Sequence, residues 1–327
     1  MMPSPLLAAA EIECERHKQV RSDRFLCLSP LYHTGSMIHW FGSLLSGGSV
    51  IIFEPTTPLS IFNIIIKEKI SIVWFLVPHM QDILDAIDCG DITFTKDEIS
   101  SLRLVHSGAQ PIPDSLIFRW LNKFPNVLYD TNYGLNESTG PGCIHLGTEN
   151  INKAGSIGKP DQRWRIKVVN KEGISTENGV VGELILKGPG VMKEYYRDEN
   201  ATKDVLKDGW LYTGDMAYVD KDGFIYLVDR KKDVIISGGE NIYPTQVENY
   251  FRTLKFIKDV AVVGLPNKRM GEIVAAVIEL KEEVFWMKNI YSYCKEIADY
   301  QRPMRLYFSP VIRNAMGKID RKKYKKK

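Results

Sequence analysis

The sequence predicts an α/β protein: a doubly wound, largely parallel sheet covered by helices, then a small antiparallel β subdomain, then an α+β C-terminal domain. Three observations carry this. From Ser49 to Asp130, β-branched runs alternate with stretches of helical apolar spacing, the order that builds a parallel sheet. Past the "GSIGKP" turn, Gly155 to Pro160, strand-like runs follow one another without helices between them. Beyond Arg230, helix and strand alternate again over a shorter span.

Each element has its own signal. "LLAAAEIE" near the start superficially suggests a signal peptide, but no basic segment precedes it and acids follow at once, so the first turns of a helix are expected there. "SVIIFEP" is a strand, and "PLSIFNIIIKEK" a helix behind a proline start. "ISIVWFLV" is a strand and "PHMQDILDAI" a helix; together they hold the most hydrophobic segment, which Pro78 interrupts and which is far short of the ~20 residues of a membrane span. "LRLVHSG", "PDSLIFRWLNKF" and "NVLYD" continue as strand, helix and strand, their apolar runs fitting strands buried on both faces. "RWRIKVVN", a "KEG" turn, "VVGELILKG", a "KDG" turn and "GFIYLVDR" make the antiparallel part. "YPTQVENYFRTL" is a helix, "DVAVVGL" and "EIVAAVIEL" are strands, and "WMKNIYSYCKEIADY" is a helix. The charged "DRKKDVI" is the expected joint, giving domains at 1–157, 158–228 and 229–327.

With 327 residues the chain has room for two domains, each with a core. A formal charge of +3, concentrated in the closing lysines, argues against a nucleic-acid-binding face. The closing cluster, Lys325 to Lys327, reads as a solubilising tail rather than an anchor to nucleic acid or anionic membrane. Five widely separated cysteines in no ligand spacing predict a reduced, cytoplasmic setting with neither disulfides nor a zinc site.

The chemistry-bearing segments begin with "YDTNYGLNESTGPG", Tyr129 to Gly142, read as a loop beyond a buried strand, where doubly wound sheets bind ligands. Taken alone it is equally a connection with a solvated Glu137. Further on come "LYTGDMAYVDKDGFIYLVDRKKDVIISGGENIYP" and "NAMGKID". In this order, with "PLYHTG", "SGAQPIP" and "GELILKGPGVMKEYY", they resemble the adenylate-forming (AMP-binding) superfamily, on its acyl-CoA synthetase side, over essentially the whole chain.

The resemblance implies a two-step ligase: a carboxylic acid and ATP give an acyl-adenylate and pyrophosphate, and coenzyme A then takes the acyl group and releases AMP. Charge neutralisation and orientation would carry the first step. It implies that Glu137 holds Mg²⁺, a hard cation suited to carboxylate oxygen, that Tyr133 stacks on adenine, that Asp215 accepts from the ribose hydroxyls and that Arg230 reaches ribose or phosphate. Gly238 and Gly239 would flank the pantetheine arm of CoA, where glycine permits close approach; a plain turn is the other reading. Asp229 would be the hinge of a mobile C-terminal domain. Ser107, Gly108, Ala109, Gly134 and Gly35 would line the adenine and acyl pockets. His33 matches a position near the carboxylate, although a lone histidine is more often structural. Lys318, behind Gly317, would bridge the acyl carboxylate and the α-phosphate; unit charges ~4 Å apart at an effective dielectric near 20 interact by about 4 kcal/mol.

Two departures from the family pattern stand out. Asn136 occupies a place usually held by Thr or Ser that bonds the α-phosphate. The Ser/Thr/Gly-rich phosphate loop expected before "LLAAAEIE" is missing, which predicts a truncated frame or shortened form with feeble adenylation. A ligase that loads a carrier protein, a luciferase-like oxygenase, and a non-catalytic module binding a nucleotide or a partner are the rival readings.

Overall fold

A computed structural model of the chain describes residues 5–109, 112–281, 287–313 and 319–324. Two compact units emerge: Met1–Thr213 with Tyr218–Leu227, and Gly214–Ala217 with Val228–Lys327.

The first unit begins with α1 (Pro5–Arg16), β1 (Arg24–Cys27), α2 (Thr34–Leu45), β2 (Ser49–Ile52), α3 (Pro58–Lys67), β3 (Ile72–Leu76), α4 (Val77–Cys89), β4 (Leu104–Gly108), α5 (Asp114–Lys123) and β5 (Leu128–Leu135). Then come β6 (Gly140–His145) and β7 (Lys159–Pro160). These strands form a seven-stranded sheet in the order β2-β1-β3-β4-β5-β6-β7. β1 to β5 pair in parallel, whereas β5, β6 and β7 pair antiparallel.

Local chemistry starts and stops the helices. Thr57 caps α3 in a reciprocal capping box with Ser60, and Pro58 opens the helix where its missing N–H costs nothing. Gly90, with φ +84, ends α4 in the left-handed conformation.

The sheet is buried on both sides. Leu26, Val73, Phe75 and Val105 join Ile61, Phe62, Ile65, Met80, Leu84, Leu116 and Trp120 from α3, α4 and α5. The alternate residues Phe25, Cys27, Ile72, Trp74 and Leu104 form a separate cluster with Trp40 of α2. α1 packs on α2. The period of two along a strand thus assigns residues to faces.

The sequence reading differs from this sheet in two places. It began the alternation at Ser49, whereas β1 and α2 precede it; α2 buries Gly35, Ser36, His39 and Ser43 beside Ile38, which breaks the apolar period. It also placed Tyr129 to Gly142 in a loop. Most of that segment is strand, because Asn132 and Tyr133 pair with His145 and Ile144, and Gly134 and Leu135 with Pro141 and Gly140. Only the single turn Asn136–Ser138 and Thr139 lie between β5 and β6.

Next follow β8 (Arg165–Val169), β9 (Gly182–Lys187), α6 (Glu199–Val205), β10 (Leu206–Lys207), β11 (Trp210–Val219) and β12 (Ile225–Arg230). Their order is β10-β11-β9-β8, with β12 against β11. β11, ten residues long, was not anticipated as a strand.

The second unit holds β13 (Ile235–Ser237), β14 (Glu240–Ile242), α7 (Pro244–Arg252), β15 (Ile257–Asn267), β16 (Gly271–Leu280), α8 (Met287–Cys294), β17 (Arg305–Phe308) and α9 (Arg321–Tyr324). The β14-β13-β16-β15 sheet, with β17 on β16, covers a core of Val247, Phe251, Val260, Val262, Val274, Ile278 and Ile290. α8 is shorter than its sequence pattern. Arg302 explains the stop: its guanidinium donates to the carbonyls of Cys294, Lys295 and Ile297 at 2.8, 3.2 and 3.1 Å, satisfying groups that a continuing helix would have used. Among the described residues no helix is long and apolar enough to cross a membrane.

Candidate functional site

β4 and β5 are parallel neighbours, and the segments beyond their carboxyl ends lie where open α/β sheets receive ligands. Ser107 and Gly108 close β4, the carbonyl of buried Ser107 accepting from Thr131 Oγ1 at 2.8 Å. A Cβ on Gly108 would sit 3.2 Å from Asn132 Oδ1 and 3.5 Å from Trp74 Nε1, so bare backbone is what fits there. Ala109 follows with φ +69, a left-handed conformation that a non-glycine residue keeps only where its surroundings fix it.

Tyr133 and Gly134 lie near the end of β5, with Tyr133 buried. In the turn that follows, Ser138 Oγ accepts from the Leu135 amide at 2.8 Å, and Thr139 takes φ +62. Gly140 has φ +87, and a Cβ there would come 3.1 Å from Thr34 Cβ. The exposed Asn136 accepts at Oδ1 from Thr34 Oγ1 at 2.8 Å. Its amide nitrogen is therefore the donating end.

Glu137 is half-buried and oriented. Tyr195 donates its hydroxyl to Glu137 Oε1 at 2.7 Å, and the Met192 amide donates to the Glu137 carbonyl at 2.7 Å. Burial first, then the bond and charge of Glu137, push the Tyr195 hydroxyl up to about 12, so it stays protonated and donating. Glu137 Oε2 has no hydrogen-bond partner among the described residues. One oxygen is held and the other is available to a hard cation or a water, which fits Mg²⁺ in the coordination chemistry of its donor. Tyr195 was missed as a site residue. It lies 58 positions from Glu137, inside the "KEYY" run, where no short-range pattern links it to a carboxylate.

His33 is the N-cap of α2, its Nδ1 accepting from the Gly35 amide at 3.3 Å, with its ring 5.8 Å from that of Trp74. It stands next to Thr34 and so near Asn136, in a capping role the sequence did not disclose. Gly35 abuts Trp74, whose ring a Cβ would approach at 2.6 Å.

In the second unit Asp215 is buried, and Arg230 donates Nε to its Oδ1 at 2.6 Å. The two residues expected on the ribose thus pair with each other. Asp229 accepts from the Arg230 amide at 2.7 Å and from the Thr245 amide at 2.8 Å, tying β12 to the first turn of α7. Burial raises its carboxyl above the ordinary value despite those bonds. Gly238 and Gly239 are the two-residue turn between Ser237 and Glu240, with φ of +61 and +91. Positive φ at both positions is the type I′ hairpin geometry that glycine favours. Nothing lies within 4 Å of a Cβ on Gly239, so that side of the turn is open.

Lys318 and Gly317 lie outside the described residues, as do Lys325 to Lys327. On either side of that segment, Arg313 and Ile319 form an antiparallel bridge, and Arg321 Nη2 meets Glu248 Oε1 at 2.6 Å.

Comparison with known proteins follows the same division of the chain. A model described as AMP-binding enzyme matches residues 5–196, and one described as AMP-binding enzyme C-terminal domain matches residues 246–318. The chain belongs to the AMP-binding enzyme family. A long-chain-fatty-acid–CoA ligase of Mycobacterium tuberculosis is 31% identical over 299 residues, covering 91% of this chain and 58% of that protein. A feruloyl-CoA synthase of an Amycolatopsis species is 35% identical over 258 residues, covering 78% of this chain and 51% of its own length. The solved o-succinylbenzoate CoA synthetase of Bacillus subtilis, in complex with its acyl-adenylate intermediate, superposes with a TM-score of 0.88 at 28% identity, over 98% of this chain and 64% of that one. Among AMP-binding enzymes, then, this chain spans between half and two thirds of the length of these relatives.

Proposed function

We propose that this chain serves an AMP-forming acid–CoA ligase: a fatty or aryl carboxylic acid and ATP give an acyl-adenylate and pyrophosphate, and CoA then gives acyl-CoA and AMP. The observation that carries the reading is Glu137, held by Tyr195 through one oxygen, at the end of the parallel sheet of an AMP-binding enzyme. Relatives named as acid–CoA ligases, and a neighbour solved with an acyl-adenylate, support it.

The residues divide the work by donor type. Glu137 would hold Mg²⁺, which supplies charge neutralisation at the phosphates. Tyr133 would pack on adenine, with Ser107, Gly108, Ala109 and Gly134 giving backbone approach, and the Asn136 amide would donate to the α-phosphate. Asp215, acceptor-only, would take the ribose hydroxyls, and Arg230, donor-only, the ribose or phosphate oxygens. Their mutual ion pair fixes both side chains before nucleotide arrives, which lowers the ordering cost on binding. The turn at Gly238 and Gly239, open on its Gly239 side, would suit the pantetheine arm, and Lys318 would neutralise the reacting carboxylate and phosphate. Domains at 1–157, 158–228 and 229–327, the last a mobile cap hinged at Asp229, complete the reading, together with a cytoplasmic setting supported by free Cys14, Cys27, Cys89, Cys143 and Cys294.

The test is binding of a non-hydrolysable acyl-sulfamoyl-adenosine, measured by calorimetry across a panel of fatty and aryl groups. Binding should occur, and Asp215→Ala should weaken it more than about tenfold, the size expected for losing bonds to a charged acceptor. Absence of binding to the folded chain would sink the reading. Binding without transfer of an acyl group from supplied acyl-adenylate to CoA would favour the non-catalytic, nucleotide-binding alternative. In a complete protein, Lys318→Ala should abolish ATP–pyrophosphate exchange while sparing thioester formation from supplied acyl-adenylate.

A further inference from the structure

The α1–α2 side of the seven-stranded sheet holds a group of buried metal-binding side chains that the reaction above does not use. Glu13 and His17 lie on or just past α1, His39 on α2 and His106 on β4, and their ligand atoms all fall within 4.8 Å of one another. Glu13, His39 and His106 are fully buried and His17 nearly so. We propose that Glu13, His17, His39 and His106 form a closed, four-coordinate site for a divalent transition-metal ion of the zinc type, which pins α1 and α2 to β4.

The hydrogen-bond pattern sets the donors. His17 Nε2 meets Asp130 Oδ2 at 3.0 Å, which places its proton there and leaves the Nδ1 lone pair toward Glu13 Oε2 at 3.3 Å. Neither atom has a hydrogen-bond partner among the described residues. Two electron pairs facing each other in a dry interior repel unless a cation lies between them. His39 gives its Nδ1 proton to the Gly35 carbonyl, so its Nε2 also turns inward, 3.7 Å from Glu13 Oε2. Bonds of 2.0–2.1 Å in a tetrahedron give edges of about 3.3 Å, so both separations suit one ion.

The outer bonds repeat what metal sites need. Two of the three rings bond outward through their other nitrogen, His17 to the Asp130 carboxylate and His39 to the Gly35 carbonyl, and the Asn132 amide donates to Glu13 Oε1, fixing the carboxylate. His39 Nε2 and His106 Nδ1 lie 2.6 Å apart, closer than a tetrahedral edge, and share one proton. Binding takes His106 in its other tautomer: that proton passes to His106 Nε2, which has no hydrogen-bond partner among the described residues, and both facing nitrogens become neutral ligands. Imidazole with one carboxylate is a donor set for zinc-like ions rather than for Mg²⁺ or Ca²⁺. Four protein ligands leave no open position, so the ion is structural and enters as the unit folds.

The experiment titrates the untagged full chain, refolded without metal, with Co²⁺ and then Zn²⁺. One Co²⁺ per chain should give the strong visible absorption of a four-coordinate site, and Zn²⁺ should displace it. His17→Ala and Glu13→Gln should abolish the absorption, and Asp130→Asn should keep it while weakening affinity about 10–100-fold. Folded wild-type chain showing only the weak spectrum of hydrated Co²⁺ would overturn the site, as would an absorption unchanged in His17→Ala and Glu13→Gln. Should those two variants fail to fold, Asp130→Asn decides: unaltered affinity refutes the assignment.

Discussion

The two faces of the seven-stranded sheet are built from alternate residues of the same strands, yet they differ in kind. Toward α3, α4 and α5 the sheet offers Leu26, Val73, Phe75 and Val105 to an aliphatic and aromatic core. Toward α1 and α2 it offers Phe25, Trp74 and Leu104 but also His106 and Asp130, which meet Glu13, His17 and His39. An apolar face is held by area and shape, so it gives way gradually when atoms are exchanged. A buried polar face is held by pairing, and loss of one partner strands the others.

Four predictions test that contrast, from the largest effect down. Glu13→Leu keeps the volume roughly constant but removes the partner of His17, His39 and Asn132; urea unfolding should show a loss of about 3–5 kcal/mol. Leu84→Met, an equally volume-conserving change in the core on the other face, should cost less than about 1.5 kcal/mol. Equal costs at the two positions would erase the distinction.

The third prediction concerns Asp23, at the start of β1. Burial alone would raise its carboxyl, but Arg103, the Val20 amide and Ser71 together hold it below the ordinary value. A lowered folded pKa contributes stability that is present above the unfolded value and lost as pH falls through the folded one. The acid limb of the stability curve should therefore flatten in Asp23→Asn, and unchanged steepness would place the titrating groups elsewhere. Smallest is Arg24→Ala, which removes the half-buried pair with Glu68 at 2.7 Å; it should shift stability by about 0.2–1 kcal/mol and less in high salt.

Much of the apolar face was legible in the sequence because its signals are local. The capping residues before α3, the proline that opens α4 and the β-branched runs of β3 and β4 each act within a few positions. Where buried polar residues interrupt the period, as in α2, the element was not recognised. The candidate site shows the same division. Glu137, Asn136 and the glycine pair at 238 and 239 stood out within short motifs, whereas Tyr195 reaches Glu137 from 58 positions away and His33 becomes a helix cap only once α2 exists. Lys318 rests on its motif alone, outside the described residues.

From the sequence alone came the α/β class, the alternation of strand and helix from Ser49 to Asp130, and the family to which the motifs point, because periodicity, capping and turn chemistry are near-neighbour effects. Only the tertiary structure decided that Asp215 and Arg230 neutralise each other, and that His106 meets His39 across 67 positions beside Glu13. The physical reason is common to both. Charge, lone-pair direction and proton sharing fall off within a few ångströms, so they are fixed by which strands lie side by side and not by distance along the chain.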